Sequence, residues 1–171
     1  MHLKYIMLIT LKNILKTTDS NLVIMVAPPL SGKTTVIKEI ADYVTVVSRD
    51  DIVMELGNGL NYSDSFKTVN QKEVDKLLLK RLLDLSKTNE NVVIDMTNLS
   101  PKRRKGHISK FPKHYKIACI LDIPKIEVLY ERNEKRYEEE NKFIPKHIID
   151  SMYKSIKYPT KEEGFDKIIQ L

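Results

Sequence analysis

The chain has 171 residues, of which 42% are hydrophobic and 30% charged, which fits one soluble globular domain and excludes a low-complexity protein. The formal net charge of +6 favours an anionic partner, which could be a nucleotide, a nucleic acid or a membrane surface. The single cysteine, Cys119, excludes an internal disulfide, and it favours a reducing compartment, for which we take the cytoplasm, with the nucleus as the alternative.

Residues 1–20 predict an amphipathic helical extension that packs on the domain formed by residues 21–171. A signal peptide is disfavoured because the apolar run is interrupted by Lys12 and no small-residue cleavage site follows it. No stretch of the sequence approaches the roughly 20 apolar residues that a membrane helix needs, so we expect no membrane partner. A membrane-surface anchor is the alternative for this extension.

Strands and helices alternate along the rest of the chain. Apolar runs predict strands at 21–27, 44–48, 91–98, 115–123 and 164–171. Helical patterns cover 33–43, 50–56, 66–87, 100–110, 124–140 and 144–156, with a loop at 57–65. This alternation predicts an α/β fold with a parallel sheet and helices on both of its faces.

The segment "MVAPPLSGKTT", between the first strand and the first of these helices, has the spacing of a phosphate-binding loop. Gly32 lets the backbone approach a phosphate, Lys33 can reach the β and γ phosphates, and the Thr34 hydroxyl can hold Mg²⁺. The motif therefore predicts binding of ATP with Mg²⁺. The predicted nucleotide-binding residues in this segment are Ser31, Gly32, Lys33, Thr34 and Thr35.

Two positions depart from the usual loop pattern. Ala27 replaces the opening glycine, and Leu30 stands where a left-handed backbone would cost a leucine on the order of 1 kcal/mol. The alternative hypothesis is a chance Gly-Lys-Thr sequence in a protein that binds no nucleotide.

The segment "VVSRDDI" predicts the acceptor side of the site. Asp50 follows the second strand at the edge that faces the loop, where it could take the proton of an attacking hydroxyl. Arg49 could hold a phosphate of the acceptor. Asp51 suits a helix cap, and in the alternative both aspartates only cap that helix.

Asp95 ends the third strand beside the loop, where it could act on the water shell of the metal or contact the acceptor. The helix that follows carries four basic residues at 102–105, of which one or two can face the cleft. A solvated basic face is an equal alternative for any one of them.

Arg132 and Arg136 are four residues apart on a predicted helix, so they share one face. They could lie over the transferring phosphoryl group as a lid and stabilise its charge. In the alternative they form helical ion pairs with Glu140 and its neighbours.

Taken together, these motifs resemble the 5′-hydroxyl polynucleotide kinases, both the phage-type enzyme and the kinase domain of the animal DNA-repair enzyme. In chain order they are A-x-x-x-x-G-K-T, S-R-D, D-x-T-N-x-x-x-x-x-R, R-N-x-x-R, I-P-x-x-x-x-x-x-M and "YPTKEEGFDKI". The resemblance runs from about Leu22 to the end of the chain.

The resemblance implies a P-loop kinase fold for residues 21–171 and specific roles for individual residues. Lys33 and Thr34 match the phosphate and magnesium residues, and Asp50 matches the general base. Arg132 and Arg136 match lid arginines that hold the phosphates of ATP. On the acceptor side, the resemblance implies roles for Asp50, Asp95 and Arg104, with Arg104 near the path of the nucleic acid. Together with Arg49, these are the predicted substrate-binding residues.

The function that the resemblance implies is transfer of the γ phosphate of ATP to 5′-hydroxyl ends of DNA or RNA, in nucleic-acid repair. A kinase of small molecules, or a toxin-type kinase on the same scaffold, is one alternative. A non-catalytic nucleotide-binding switch or adaptor is another.

Overall fold

The computed structural model describes residues 2–171 as a five-stranded parallel sheet with the strand order β2-β3-β1-β4-β5. The strands are β1 (Asn21–Val26), β2 (Thr45–Ser48), β3 (Val92–Asp95), β4 (Tyr115–Ile120) and β5 (Lys167–Gln170). Every strand pair is parallel, which confirms the predicted sheet.

Eight helices surround the sheet within residues 2–171. They are α1 (His2–Thr17), α2 (Lys33–Ile40), α3 (Arg49–Leu56), α4 (Tyr62–Thr68), α5 (Gln71–Leu85), α6 (Pro101–Ile108), α7 (Ile126–Glu140) and α8 (Lys146–Lys154). Short 3-10 turns lie at Ala41–Tyr43 and Lys161–Glu163.

Helices cover both faces of the sheet, and β1 is accordingly buried at every position and apolar from Leu22 to Val26. Leu22 and Ile24 point to one face, where they belong to a core with residues of α3 and α5. Val23 and Met25 point to the other face, where residues of α1 and α2 complete a second core. The predicted placement of helices on both faces is thus confirmed.

Cys119 lies in β4 on the second of these faces and is fully buried. Burial raises the pKa of its thiol to about 12, so the sulfur stays protonated and packs as an apolar group.

Helix α1 packs against the sheet through one stripe. Leu11 and Leu15 are buried in the second core. Towards solvent, the ammonium group of Lys12 lies 2.7 Å from the carboxylate of Glu39 on α2. Among residues 2–171, no helix is both long enough and hydrophobic enough to cross a bilayer.

The region between α3 and α5 differs from the sequence-based prediction. The predicted loop at 57–65 gives way to helix α4 at Tyr62, because the side chain of Asn61 accepts a hydrogen bond from the backbone N–H of Asp64 at 3.0 Å. The predicted helix over 66–87 is interrupted, because Asn70 caps a separate helix by accepting from the N–H of Lys72 at 3.0 Å. This difference places Tyr62, at the start of α4, in contact with Asp50 at the start of α3.

Candidate active site

The predicted phosphate-binding loop, Asp50 and Asp95 lie at the edge of the sheet where the strands end. The phosphate-binding loop follows β1, helix α3 follows β2, and Asp95 is the last residue of β3. Ser48, at the end of β2, is paired directly with Asp95 in the strand register. Because all the strands are parallel, their carboxyl ends form one cleft, which is where open α/β sheets bind ligands.

The loop itself uses two left-handed residues. Gly32 has φ of 93°, and apart from its immediate neighbours in the chain no atom of the described residues lies within 4 Å of the position that its Cβ would take. A glycine here therefore keeps the backbone open to an approaching group. Leu30 also lies in the left-handed region, with φ of 66°, so the loop carries the strain that a leucine at this position implies.

Lys33 starts α2 and folds its side chain back under the loop. Its ammonium group donates to the carbonyl oxygens of Ala27 at 3.2 Å and Pro28 at 2.9 Å. Burial lowers the pKa of Lys33 to about 8, although the charges of Asp95 and Asp50 act to raise it, while Arg136 lowers it further. The charge of the lysine therefore interacts with both predicted carboxylates and with one predicted lid arginine.

The loop fits a nucleotide phosphate group with its metal. The hydroxyl of Ser31 is buried, and no residue of the described range forms a hydrogen bond with it. A buried hydroxyl inside the loop is therefore available to hydrogen-bond a bound phosphate. Thr34 and Thr35 are exposed in the first turn of α2. The described residues hold no group of three or more His, Cys, Asp or Glu side chains suited to a metal ion. That Thr34 holds Mg²⁺ together with phosphate oxygens stays a prediction.

Asp50 lies exposed in the first turn of α3. The hydroxyl of Tyr62 donates a hydrogen bond to its Oδ2 atom at 3.1 Å. The helix cap is Ser48, whose hydroxyl accepts from the N–H of Asp51 at 3.3 Å. The cap function that we assigned to the side chain of Asp51 was therefore wrong, and neither aspartate is needed for it.

Asp95 is half-buried at the end of β3. Burial raises the pKa of its carboxyl group, Lys33 lowers it, and the charges of Asp50 and Asp51 raise it further. The two predicted carboxylates thus interact with each other as well as with the lysine.

Arg49 is directed towards α5. Its Nε atom lies 3.1 Å from a carboxylate oxygen of Asp75, and its Nη2 atom donates to the side-chain oxygen of Gln71 at 2.8 Å. Its Nη1 atom is the part of the guanidinium that neither of these contacts uses. A contact between Arg49 and a phosphate of the acceptor stays a prediction.

Helix α7 brings Arg132 and Arg136 to the cleft. Arg132 donates through Nη1 to the carbonyl oxygen of Leu30 at 2.8 Å, which joins this helix to the phosphate-binding loop. The guanidinium of Arg136 lies 5.8 Å from the centre of the Tyr62 ring. Arg136 also lies 3.7 Å from Glu140, so the helical ion pair that we considered as an alternative coexists with the position at the cleft.

The predicted role of Arg104 in contacting nucleic acid is wrong, because its side chain is completely buried. Its Nε and Nη2 atoms donate to the two carboxylate oxygens of Glu163 at 2.7 and 2.6 Å. Its remaining N–H groups reach the carbonyl oxygens of Asn98 at 2.9 Å, Lys157 at 2.8 Å and Tyr158 at 3.5 Å. All five donors are thus used inside the protein, where Arg104 ties the 157–163 segment to α6.

The sequence analysis missed a structural role for Asn98 in the T-N motif. Its side-chain amide donates to the carbonyl oxygens of Met25 at 2.9 Å and Met96 at 3.2 Å. It therefore joins the ends of β1 and β3 on either side of the cleft. Its left-handed backbone, with φ of 48°, is a conformation that asparagine tolerates better than most residues, and this could have signalled the role.

Comparison with known proteins gives one family match, to the AAA domain family AAA_33 over residues 22–159. No curated protein matches the chain. The chain is similar to one in the structure of the Pnkp1/Rnl/Hen1 RNA repair complex, with 28% identity and a TM-score of 0.66. That match covers 87% of this chain and 47% of the other, so this chain spans about half of its length.

Two further similarities concern the fold alone, because the sequence identities are low. A gluconokinase from Sinorhizobium meliloti 1021 matches with 17% identity and a TM-score of 0.56, over 89% of this chain and 82% of the other. A chain of the PezAT toxin-antitoxin system of Streptococcus pneumoniae matches with 18% identity and a TM-score of 0.61, over 98% and 75% of the two chains.

Proposed function

Since the chain belongs to the AAA domain family AAA_33 and has the parallel sheet of a P-loop kinase, we propose that it is an ATP-dependent 5′-hydroxyl polynucleotide kinase. In this proposal it transfers the γ phosphate of ATP to the 5′-hydroxyl end of DNA or RNA, in nucleic-acid repair. The donor side is the loop with Lys33, and the acceptor side is the end of β2 with Asp50.

One observation carries the proposal. Asp95 ends β3 beside β1, and it is paired with Ser48 at the end of β2, two residues before Asp50, so both carboxylates lie at the strand ends next to the loop that carries Lys33. Their charges also act to raise the pKa of Lys33. Transfer to a hydroxyl requires a base near the bound phosphates, because the base and the electrophile must act on one incoming oxygen.

The transfer moves one phosphoryl group to the acceptor and one proton to the protein. The acceptor oxygen forms a bond to the γ phosphorus, the bond from that phosphorus to the β–γ bridging oxygen breaks, and the hydroxyl proton passes to the carboxylate of Asp50. Lys33, Arg132 and Arg136 would stabilise negative charge on the phosphoryl oxygens and on the departing ADP. When bound, Mg²⁺ supplies further charge neutralisation between the phosphates.

The polynucleotide acceptor in this proposal rests on two observations. It is supported by the RNA repair complex, whose chain is 28% identical to this one, and by the net charge of +6, which suits a phosphate backbone. A small-molecule acceptor is the second candidate, because the gluconokinase has the same fold.

The test is an assay with labelled ATP and matched DNA and RNA oligonucleotides that carry either a 5′-hydroxyl or a 5′-phosphate. We expect label only on the 5′-hydroxyl ends. Asp50→Asn should bind ATP normally and lose at least about a hundredfold in transfer rate. Asp51→Asn, which makes the same charge change on the next residue, is the matched control and should retain most of the activity.

The other outcomes distinguish the alternatives. Transfer to a small alcohol without transfer to either oligonucleotide would replace the acceptor in this proposal. Binding of ATP with no transfer to any of these acceptors would indicate a nucleotide-binding switch or adaptor.

A further inference from the structure

The carboxylate of Asp50 has one side-chain hydrogen-bond partner among residues 2–171, the hydroxyl of Tyr62 at 3.1 Å. Asp50 is exposed and lies in the first turn of a helix, where a carboxylate could otherwise rotate freely. The contact with Tyr62 fixes one of its two oxygens and leaves the other available for the proton of an acceptor.

Tyr62 is in turn held by basic residues at the end of α7 and just beyond it. The guanidinium of Arg136 lies 5.8 Å from the centre of its ring, and the ammonium group of Lys142 lies 5.2 Å from it. Next to it, the hydroxyl of Ser63 donates to the carbonyl oxygen of Asn141 at 2.9 Å. Helix α4 therefore connects the acceptor side of the cleft with the lid arginine on α7.

The chemistry of Tyr62 suits a permanent donor. Burial raises its pKa to about 12, and the charge of Asp50 and the hydrogen bond to it act in the same direction. The phenol therefore keeps its proton at every pH at which a kinase would be assayed.

We infer that Tyr62 is a positioning residue of this site, which orients the Asp50 carboxylate towards the acceptor and couples that orientation to Arg136 on the lid. The inference rests on the proposed role of Asp50 as the base. Tyr62 itself takes no proton and touches no reacting atom.

The experiment compares Tyr62→Phe, Tyr62→Ala and a matched control, Tyr130→Phe, in the full chain. Tyr130 also donates to an aspartate, Asp150, but it does so between α7 and α8. Tyr62→Phe removes only the hydroxyl, so kcat for transfer should fall about tenfold or more while KM for ATP is unchanged. Tyr62→Ala also removes the ring beneath Arg136 and should raise KM for ATP by about two- to fivefold. Tyr130→Phe should change neither constant.

If Tyr62→Phe does not change kcat for transfer, the inference is overturned. Equal losses of kcat in Tyr62→Phe and Tyr130→Phe overturn it as well, because they would indicate a general structural effect.

If the wild-type chain phosphorylates neither oligonucleotide, the proposed acceptor is wrong, and ATP hydrolysis without an acceptor becomes the readout. A fall in hydrolysis in both Asp50→Asn and Tyr62→Phe then supports the inference, whereas any other pattern overturns it.

Discussion

At the scale of single residues, Lys33 sets how the site responds to pH. Its pKa of about 8 lies below the usual 10.5, so the side chain loses its charge as the pH rises above 8. Bound phosphates favour the ammonium form, so we expect ATP binding above pH 8 to take up a proton and to weaken by up to about tenfold per pH unit. Titration calorimetry in buffers of different ionisation enthalpy measures both the proton uptake and the affinity.

The control is Lys33→Arg, which keeps its charge and should show no proton uptake. A wild-type affinity for ATP that is constant up to pH 9.5 would contradict the expectation.

The buried ion pair of Arg104 and Glu163 predicts an effect on folding stability instead of an effect on nucleic-acid binding. Arg104→Met leaves the Glu163 carboxylate buried without its partner, so we expect a loss of about 3–5 kcal/mol in the free energy of unfolding. Arg103→Met, at the exposed neighbouring position, should change it by less than about 0.5 kcal/mol. Denaturant unfolding measures both variants. If Arg104→Met were as stable as the wild type but bound oligonucleotides poorly, the original nucleic-acid hypothesis would be right after all.

At the scale of elements, α1 is part of the folded core. Leu11 is fully buried against the second face of the sheet, whereas Ile9 on the same helix is 39% exposed. Leu11→Ala should therefore lower the free energy of unfolding by about 2–5 kcal/mol, and Ile9→Ala by much less. Thermal or denaturant unfolding of the two variants gives the comparison. Similar small effects in both would mean that α1 detaches from the domain in solution.

Elements also show what the sequence could and could not predict. The strands were predictable because a buried parallel strand is a continuous apolar run, and parallel order alone puts Lys33, Asp50 and Asp95 at one edge. Helix α4 was not predictable, because its cap residue, Asn61, stands among other turn residues and looks like part of a loop. Tyr62 was missed with that helix. The direction of the Arg104 side chain depends on Glu163, which lies 59 residues away, and no local pattern contains that information.

At the scale of the whole molecule, the net charge of +6 predicts how an acceptor binds. A single-stranded polynucleotide releases counterions from each neutralised phosphate, so its affinity should fall about fiftyfold between 50 and 200 mM salt if four phosphates are contacted. Fluorescence anisotropy with a labelled 5′-hydroxyl oligonucleotide measures the slope. Binding that does not depend on salt would speak against a polynucleotide and in favour of a small acceptor.

The place of Cys119 in the middle of the sheet has a practical consequence. An alkylating reagent can reach this thiol only when β4 becomes exposed, and no other cysteine in the chain competes for it. The rate of labelling in native buffer therefore reports how often the core opens around β4. The unmodified protein thus carries its own reporter, which can rank the core variants without any added probe.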